Sequence, residues 1–322
     1  MSLRTAIVAG LAAVTGLLAV STAQAQTTTI PGEQVGLATG APLPEGVYAL
    51  NTFIYRRPDA TFGADTAINI PVLVWSTPLV PFGGRVELLV APPTVFAFTR
   101  NAPGVPNRDI SINVGTFVGG IWAFDLGGNV GVSVLGGAYL NDLDGDRGSL
   151  RGAGGGTPIL PQLASNTYRA GLAVSYTGDG YNLTANLTGN FYDSPGRFDG
   201  RVGAFLGPQV ISDALNLDLT ATKKFGKFEI GAVGYGTVNV GRNSAIVGRG
   251  GRFALGGLIG YDFGVFTAQL MVARDVVTSA TYATFDGRTR DNYSTDGFIR
   301  LIAPLYSVAA PAPAPTPLVR KY

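Results

Sequence analysis

The stretch Tyr181–Tyr192 reads YNLTANLTGNFY, and two alternating sets of residues run through it. Its odd-numbered positions are apolar, aromatic or glycine, whereas the even-numbered positions from Asn182 to Asn190 are all Asn or Thr. Successive side chains of a strand point to opposite faces, so this stretch predicts a strand with one apolar and one uncharged polar face. The alternation returns over residues 215–222 and again after a tight turn at residues 225–227.

Strand length separates the two fold classes that alternate in this way. Strands of about ten residues are long enough to cross a bilayer when they are tilted, whereas the strands of soluble sandwiches are nearer to five or six. Charged residues make up only 14% of the 322 residues, glycine numbers 46, and the mean hydropathy is +0.26. Beyond residue 20 no run of about eighteen apolar residues offers a membrane-spanning helix. The sequence therefore predicts an all-β, transmembrane antiparallel barrel.

Two missing residue types limit the chemistry. The chain has no Cys and no His, which excludes disulfides, Cys nucleophiles and the usual zinc sites. The absent histidine also removes the commonest general base, so we predict that the protein is not an enzyme and has neither catalytic residues nor a resident cofactor. A net charge of +2 with both signs mixed along the chain argues against a nucleic-acid partner.

The first 25 residues are typical of a cleaved signal peptide. Arg4 supplies the positive charge, residues 6–20 form the apolar core, and Ala23 and Ala25 flank a small-x-small cleavage site. The alternative, a membrane anchor, is disfavoured because a core of about fifteen residues is too short to span a bilayer.

The remaining chain divides into three parts. Residues 26–45 are interrupted by prolines and predict an irregular lead-in that lies in the periplasm or plugs the lumen. The barrel is expected over residues 46–306. Residues 307–322 form a proline-rich tail that favours an extended periplasmic conformation. The barrel assembly machinery, which reads a terminal aromatic residue, would recognise Tyr306 or Tyr322.

The connection lengths provide an independent argument. Counting strands from residue 46 gives about 12, with 14 as the alternative, and even numbers are the rule for bacterial single-chain barrels. Connections after even-numbered strands are short and those after odd-numbered strands are long, the pattern of periplasmic turns and extracellular loops. We therefore expect the outer membrane of a Gram-negative cell, with outer-membrane lipid and lipopolysaccharide as partners. Two local irregularities are predicted, a bulge at Pro71 and a break in the third strand at Pro92 and Pro93.

Alternation also identifies the side chains expected inside the barrel. The lumen-lining candidates are polar residues on the inward-facing positions of the strands: Arg169, Asn182, Asn186, Asn190, Asn216, Asp218, Glu229, Arg252 and Gln269. If they line a path, neutralising Asp218 or Glu229 should change ion selectivity. Alternatively they only fill and hydrogen-bond a narrow interior, as in small barrels.

One acidic loop offers a candidate metal site. Asp142, Asp144 and Asp146 alternate, so that their carboxylates could converge on a calcium ion. The glycine stands fourth rather than sixth and the later glutamate of an EF-hand is missing, so a solvated Asp- and Gly-rich turn is the alternative. In an extracellular loop these carboxylates could also bridge to lipopolysaccharide through a divalent ion.

Residues 40–51 read GAPLPEGVYALN, and residues 300–306 read RLIAPLY. The Leu-Pro-x-Gly-x-Tyr core of the first stretch resembles the opening of the meta-pathway phenol-degradation-like outer-membrane proteins, a transporter family that includes a sphingosine-induced member. The second stretch resembles that family's last strand, whereas the proline tail departs from the pattern. The resemblance implies kinship with hydrophobic-compound channels of the fatty-acid-transporter type, and it carries over no catalytic or binding motif.

Two functions from different classes follow. The first is an outer-membrane channel for passive uptake of small hydrophobic or aromatic solutes. The second is a closed structural or adhesin-like barrel that acts through its extracellular loops. Solute flux would favour the first, and loop-dependent binding to surfaces the second.

Overall fold

The computed structural model describes residues 30–60, 64–100, 110–113, 115–140, 149–150, 157–158, 167–192, 213–240, 250–284 and 287–308. These ranges contain β-strands joined by turns. The strands are β1 (Gly46–Pro58), β2 (Ala64–Ser76), β3 (Gly84–Ala91), β4 (Thr94–Thr99), β5 (Ile110–Asn113), β6 (Thr116–Asp125), β7 (Val130–Leu140), β8 (Ser149–Leu150), β9 (Thr157–Pro158), β10 (Thr167–Tyr176), β11 (Tyr181–Tyr192), β12 (Ala214–Phe225), β13 (Phe228–Asn239), β14 (Gly251–Asp262), β15 (Thr267–Thr278), β16 (Thr281–Ala283), β17 (Thr289–Asp291) and β18 (Ser294–Ser307). No helix in the described ranges is long and apolar enough to cross a membrane.

Fourteen of these strands form one antiparallel sheet, and the pairing of β1 with both β2 and β18 closes it into a barrel. β3 and β4 share one position in the wall, since both pair with β2. β5 and β6 share the next position, because β5 pairs with β4 and β6 pairs with β3. Because two positions each hold two strands, the fourteen strands occupy twelve positions around the barrel. This confirms the predicted fold class. The strands β8 with β9 and β16 with β17 form two separate ribbons.

Five turns that join neighbouring strands of the wall lie at one end of the barrel, which we call the turn end; the opposite end is the loop end. The turn end holds residues 77–83, 126–129, 177–180, 226–227 and 263–266, together with the start of β1 and the end of β18. At this end Tyr261 packs edge-on against Phe263, and Phe263 stacks on Phe266, with ring centroids 4.7 Å apart in each pair. Aromatic residues in this position are typical of the interfacial girdle of an outer-membrane barrel.

The wall is interrupted where prolines were expected to disturb it. β2 pairs with β3 through Leu73–Ser76 and with β4 through Ala64–Asn69, which leaves Ile70, Pro71 and Val72 without a partner on that edge. Pro92 and Pro93 lie between β3 and β4, so the predicted break is confirmed. The bulge predicted at Pro71 is wrong, because β1 and β2 pair without a register shift through Pro71. Pro71 has no N–H to donate, but this removes no hydrogen bond on the β3/β4 side, because among the described residues β2 has no paired strand there at Pro71.

The two faces of the wall differ in the way that a bilayer requires. Large apolar side chains on the outer face are exposed, among them Leu172 (63%), Ile230 (55%), Ile259 (55%) and Val272 (56%). Polar and charged side chains are buried on the inner face, including Asn190 and Arg300 at 0% exposure. This reversal of the arrangement in soluble proteins identifies an outer-membrane type of β-barrel.

Candidate functional site

Residues 30–45, here called the inner segment, enter the barrel from the turn end and pack against its inner face. The segment has no regular strand or helix and advances through successive turns, in which the N–H groups of Glu33, Val35, Leu37 and Ala41 bond carbonyl oxygens three residues earlier. Ile30 and Val35 are 5% and 0% exposed and belong to the same buried cluster as apolar residues of the wall. Of the two locations expected for the lead-in, these residues occupy the lumen.

Three glycines spaced four residues apart hold the inner segment against the polar wall. The N–H groups of Gly32, Gly36 and Gly40 donate to Asp218 Oδ1 at 2.9 Å, Thr220 Oγ1 at 2.7 Å and Ser175 Oγ at 2.9 Å. A Cβ on Gly40 would lie 2.5 Å from the backbone nitrogen of Ser175. Glycine is needed here because the backbone itself approaches the wall.

Gly32 and Gly36 also adopt a backbone conformation that favours glycine. Their φ angles are +89° and +83°. A Cβ on Gly32 would meet the ring of Tyr235 at 2.9 Å, and one on Gly36 would meet Leu258 Cδ1 at 2.7 Å. Both positions therefore exclude larger residues by conformation and by space.

Two buried arginines secure the middle of the inner segment. Arg169 on β10 forms an ion pair with Glu33, and Arg169 Nε donates to Asn190 Oδ1 at 2.9 Å. Arg300 on β18 donates from Nη2 to the carbonyl oxygen of Glu33 at 2.6 Å and from Nη1 to that of Val35. Because a buried guanidinium needs several acceptors, these carbonyls satisfy Arg300 while Arg300 fixes the segment.

The predicted lumen residues divide by what they contact. Arg169, Asn182, Asn186, Asp218 and Gln269 bond the inner segment directly. Glu229 accepts bonds from Thr222 at 2.6 Å and from Gln269 at 3.0 Å. Asn190, Asn216 and Arg252 are buried on the same inner face, nearer the loop end. Whether any of the nine lines a path for solutes stays a prediction.

A second polar cluster lies on the inner wall nearer the loop end, on five neighbouring strands. Asp296 accepts two bonds from Arg56, at 2.9 and 3.1 Å, one from Arg252 Nη2 at 2.8 Å and one from Tyr235 Oη at 2.7 Å. Asp275 accepts from Arg252 Nε at 2.7 Å. Two arginines and two aspartates thus neutralise each other, and they tie β1, β13, β14, β15 and β18 together.

Several buried polar atoms have no hydrogen-bond partner in the part of the chain that the structure describes. They include Asn190 Nδ2, Asn216 Oδ1 and Arg252 Nη1, on three strands within the neighbouring set β11 to β14. The side chains of Asn190 and Asn216 are 0% and 3% exposed. Unpaired buried polar atoms cost free energy and are uncommon in native proteins, so each needs an explanation.

The inner wall is chemically asymmetric. Strands β10 to β12 present Ser, Thr, Asn, Asp and Arg to the lumen, and they carry most of the bonds to the inner segment. The adjoining arc, from β7 to β2, presents mainly apolar side chains: Ile68, Ile70, Val74, Ala91, Phe117, Ala123, Leu135 and Tyr139. The segment thus takes more hydrogen bonds from β10 to β12 than from the adjoining arc, which it bonds, within the described residues, at Ser76, Glu87 and Ser133.

Several important residues were missed in the sequence. Arg56, Tyr235, Asp275, Asp296 and Arg300 are as buried as most of the predicted set, and each takes part in the hydrogen bonds described above. For Asp296 and Arg300 the signal was present, because Ser294, Asp296, Phe298 and Arg300 alternate along the last strand. The four-residue spacing of Gly32, Gly36 and Gly40 was a second visible signal.

The candidate calcium ligands Asp142, Asp144 and Asp146 lie outside the described residues. Within the described ranges, no group of three or more acidic side chains is placed to hold a metal ion.

The comparisons with known proteins concern the barrel architecture alone. No protein-family model matches the sequence, and no curated protein matches it. A Pseudomonas aeruginosa FadL homologue aligns with a TM-score of 0.46 at 11% identity, over 85% of this chain and 97% of that chain. The β domain of the Bordetella autotransporter BrkA aligns with a TM-score of 0.41 at 13% identity, over 83% and 100%. The monoaromatic hydrocarbon channel CymD aligns with a TM-score of 0.38 at 8% identity, over 83% and 90%. Values this low identify neither a family nor a solute.

Proposed function

We propose that the protein is an outer-membrane channel for passive uptake of small hydrophobic or aromatic compounds. The apolar arc of the inner wall from β2 to β7 carries this proposal. A channel for ions or sugars needs polar groups around its lumen, because a solvated solute loses hydrogen bonds against an apolar wall. A hydrophobic solute gains free energy against such a wall, at about 25 cal/mol per Å² of apolar surface removed from water.

The inner segment is the element that such a solute must displace. Ile30 and Val35 occupy part of the apolar cluster, where they take the place of an apolar solute. The bonds that hold the segment come mainly from the adjoining polar wall of β10 to β12. A shift of the segment toward that wall would open a passage along the apolar arc.

The resemblance of residues 40–51 to the meta-pathway phenol-degradation-like proteins supports the same class of solute. This stretch joins the inner segment to β1, and it anchors the segment at the turn end. Leu43 N donates to Glu87 Oε1 at 2.8 Å, and Ser76 Oγ donates to the carbonyl oxygen of Leu43 at 2.9 Å. Membership of that family is part of the proposal.

A closed barrel that acts through its loops is the second candidate. The bonds between the inner segment and strands β3, β10, β12, β15 and β18 favour it, since a lumen this well filled needs no opening to be stable. In this case the polar wall serves only to bind the segment.

Uptake by intact cells separates the two functions. Cells that lack the gene should take up radiolabelled naphthalene more slowly than complemented cells, and a Leu135→Gln variant should behave like the deletion. Leu135 lies on the apolar arc at 8% exposure, where an unpaired amide would oppose passage of an apolar solute.

Leu126→Gln is the matched control, because Leu126 lies in a turn at the turn end and is 61% exposed. This variant should restore uptake fully. Heat-dependent mobility in electrophoresis shows whether each variant folds into a barrel. Equal uptake by deleted, complemented and Leu135→Gln cells would contradict the channel and favour the closed barrel.

A further inference from the structure

Asn190 and Asn216 leave complementary groups unpaired on adjacent strands. Asn190 Oδ1 accepts a bond from Arg169, which fixes the side chain and leaves its Nδ2 donor without a partner in the described part of the chain. Asn216 leaves its Oδ1 acceptor unpaired within the same described residues. The site therefore offers one donor and one acceptor.

The register places these two groups within reach of a single atom. β11 pairs with β12 so that Asn190 lies opposite Ala214 and Thr188 opposite Asn216, which makes the two asparagines diagonal neighbours on the inner face. Such neighbours are about 7–8 Å apart at Cα and closer at their side chains. Two hydrogen bonds of about 2.9 Å that meet at one oxygen atom can bridge the two amide groups.

An aromatic surface continues from this pair toward β6. The guanidinium of Arg169 lies 5.3 Å from the ring centroid of Tyr139 and 5.6 Å from that of Phe117. The ring of Phe117 lies over Gly119 and Gly137, where an added Cβ would approach it to 2.7 and 2.4 Å. A flat apolar body could therefore lie along this wall while a polar group reaches the asparagines.

The surrounding charges argue against an ionised ligand. Arg169 is already paired with Glu33, and Arg252 with Asp275 and Asp296. The carboxylate of Asp218 accepts N–H groups from Gly32 and Gln34. An anionic ligand would have to displace Glu33 from Arg169, and a buried charge without its own partner is strongly disfavoured. A hydroxyl is neutral, and its oxygen both donates and accepts.

We propose that Asn190 and Asn216 bind the hydroxyl group of a neutral, mainly apolar compound, such as an aromatic alcohol, whose apolar body lies against Phe117 and Tyr139. The proposal rests on the channel function and names the solute class that the lumen selects. The two amides are covered in this structure, and neighbouring Arg169 and Asn186 bond Glu33 and Gln34 of the inner segment. Binding therefore requires the side chains that cover the two amides to move aside while Glu33 keeps its ion pair with Arg169.

Three probes of similar size test the site with the purified full-length protein in lipid nanodiscs: benzyl alcohol, its apolar analogue ethylbenzene and the anion benzoate. Equilibrium dialysis against empty nanodiscs corrects for partition into lipid. Asn190→Leu and Asn216→Leu should each weaken binding of benzyl alcohol by about tenfold, because one hydrogen bond is lost and its partner is left unpaired. Binding of ethylbenzene should be unchanged or tighter.

Asn51→Leu is the control, since Asn51 lies on the exposed outer face of β1 and undergoes the same substitution. A second test compares two ligands on the unaltered protein. At neutral pH it should bind benzoate at least about tenfold more weakly than benzyl alcohol. Tighter binding of benzoate would overturn the neutral site. If ethylbenzene binds, but the affinity for benzyl alcohol is the same in the unaltered protein and in all variants, the hydroxyl site alone is overturned. Water would then be the bridge between the asparagines. Failure of ethylbenzene to bind would count against the channel itself.

Discussion

Arg300, near the end of the barrel sequence, donates a hydrogen bond of 2.6 Å to the carbonyl oxygen of Glu33, near its beginning. Arg300 is fully buried, and it also bonds Val35 and Thr52. One side chain of the last strand thus joins the inner segment to the first strand. The closed state of the lumen therefore depends in part on a residue that was not predicted from the sequence.

Replacing Arg300 by Met should loosen the inner segment while the barrel stays folded. The change leaves the carbonyls of Glu33 and Val35 unpaired at about 1–3 kcal/mol each. We expect a higher ion conductance in planar bilayers and faster proteolysis within residues 30–45. Arg274→Met is the control, because Arg274 is half-exposed and pairs with Asp59 outside the lumen. Conductance that is no higher than in the control would show that the segment does not depend on Arg300.

A single methyl group on Gly40 should expel the inner segment. The added Cβ would overlap backbone atoms of Val174 and Ser175 at 2.5–2.8 Å, and a strand in the middle of the wall cannot retreat. Gly40→Ala should therefore raise the conductance, with the heat-dependent electrophoretic mobility of the barrel unchanged. Gly136→Ala is the matched variant, since its Cβ would meet nothing within 4 Å. Identical conductance in the two variants would contradict the close fit at Gly40.

Ion selectivity tests whether the polar wall faces the open path. Asp218 and Glu229 are covered in the closed state, so neutralising them should matter only when the inner segment is displaced. In the Gly40→Ala background, Asp218→Asn and Glu229→Gln should shift the reversal potential toward lower cation selectivity. The exposed Asp59→Asn serves for comparison. An unshifted potential would remove both residues from the lining of the path.

Removal of Asp296 should destabilise the barrel strongly. Asp296→Ala leaves Arg56 and Arg252 buried without their shared partner, and breaking a buried pair in this way costs about 3–5 kcal/mol. Urea unfolding in lipid should show this loss. Asp59→Ala breaks the exposed pair with Arg274 and should cost less than about 1 kcal/mol. Equal losses in the two variants would mean that the buried network contributes no more than a surface pair.

The barrel could be predicted from the sequence because its signal is local and repeated. The strand Tyr181–Tyr192 shows both faces in twelve residues, and the turn at residues 226–227 marks the reversal between β12 and β13. The inward direction of Asn186 and Asp218 followed from the same alternation.

The filling of the lumen could not be predicted in the same way. The partners of Gly32 and Gly36 lie 186 and 184 residues away, and no periodicity records such pairs. Arg300 and Asp296 show a related limit, because alternation along the last strand indicates their inward direction but does not reveal their partners. Only their joint burial with partners from β1, β14 and the inner segment shows why those charges are tolerated.

The contacts of the inner segment also fix an order of events in assembly. Residues 30–45 precede every barrel strand in the sequence, yet their partners Ser175, Asp218, Thr220 and Arg300 belong to strands β10, β12 and β18. β18 in turn completes the seam with β1. The segment can therefore complete its bonds to the wall only once β18 is in place and the seam is formed.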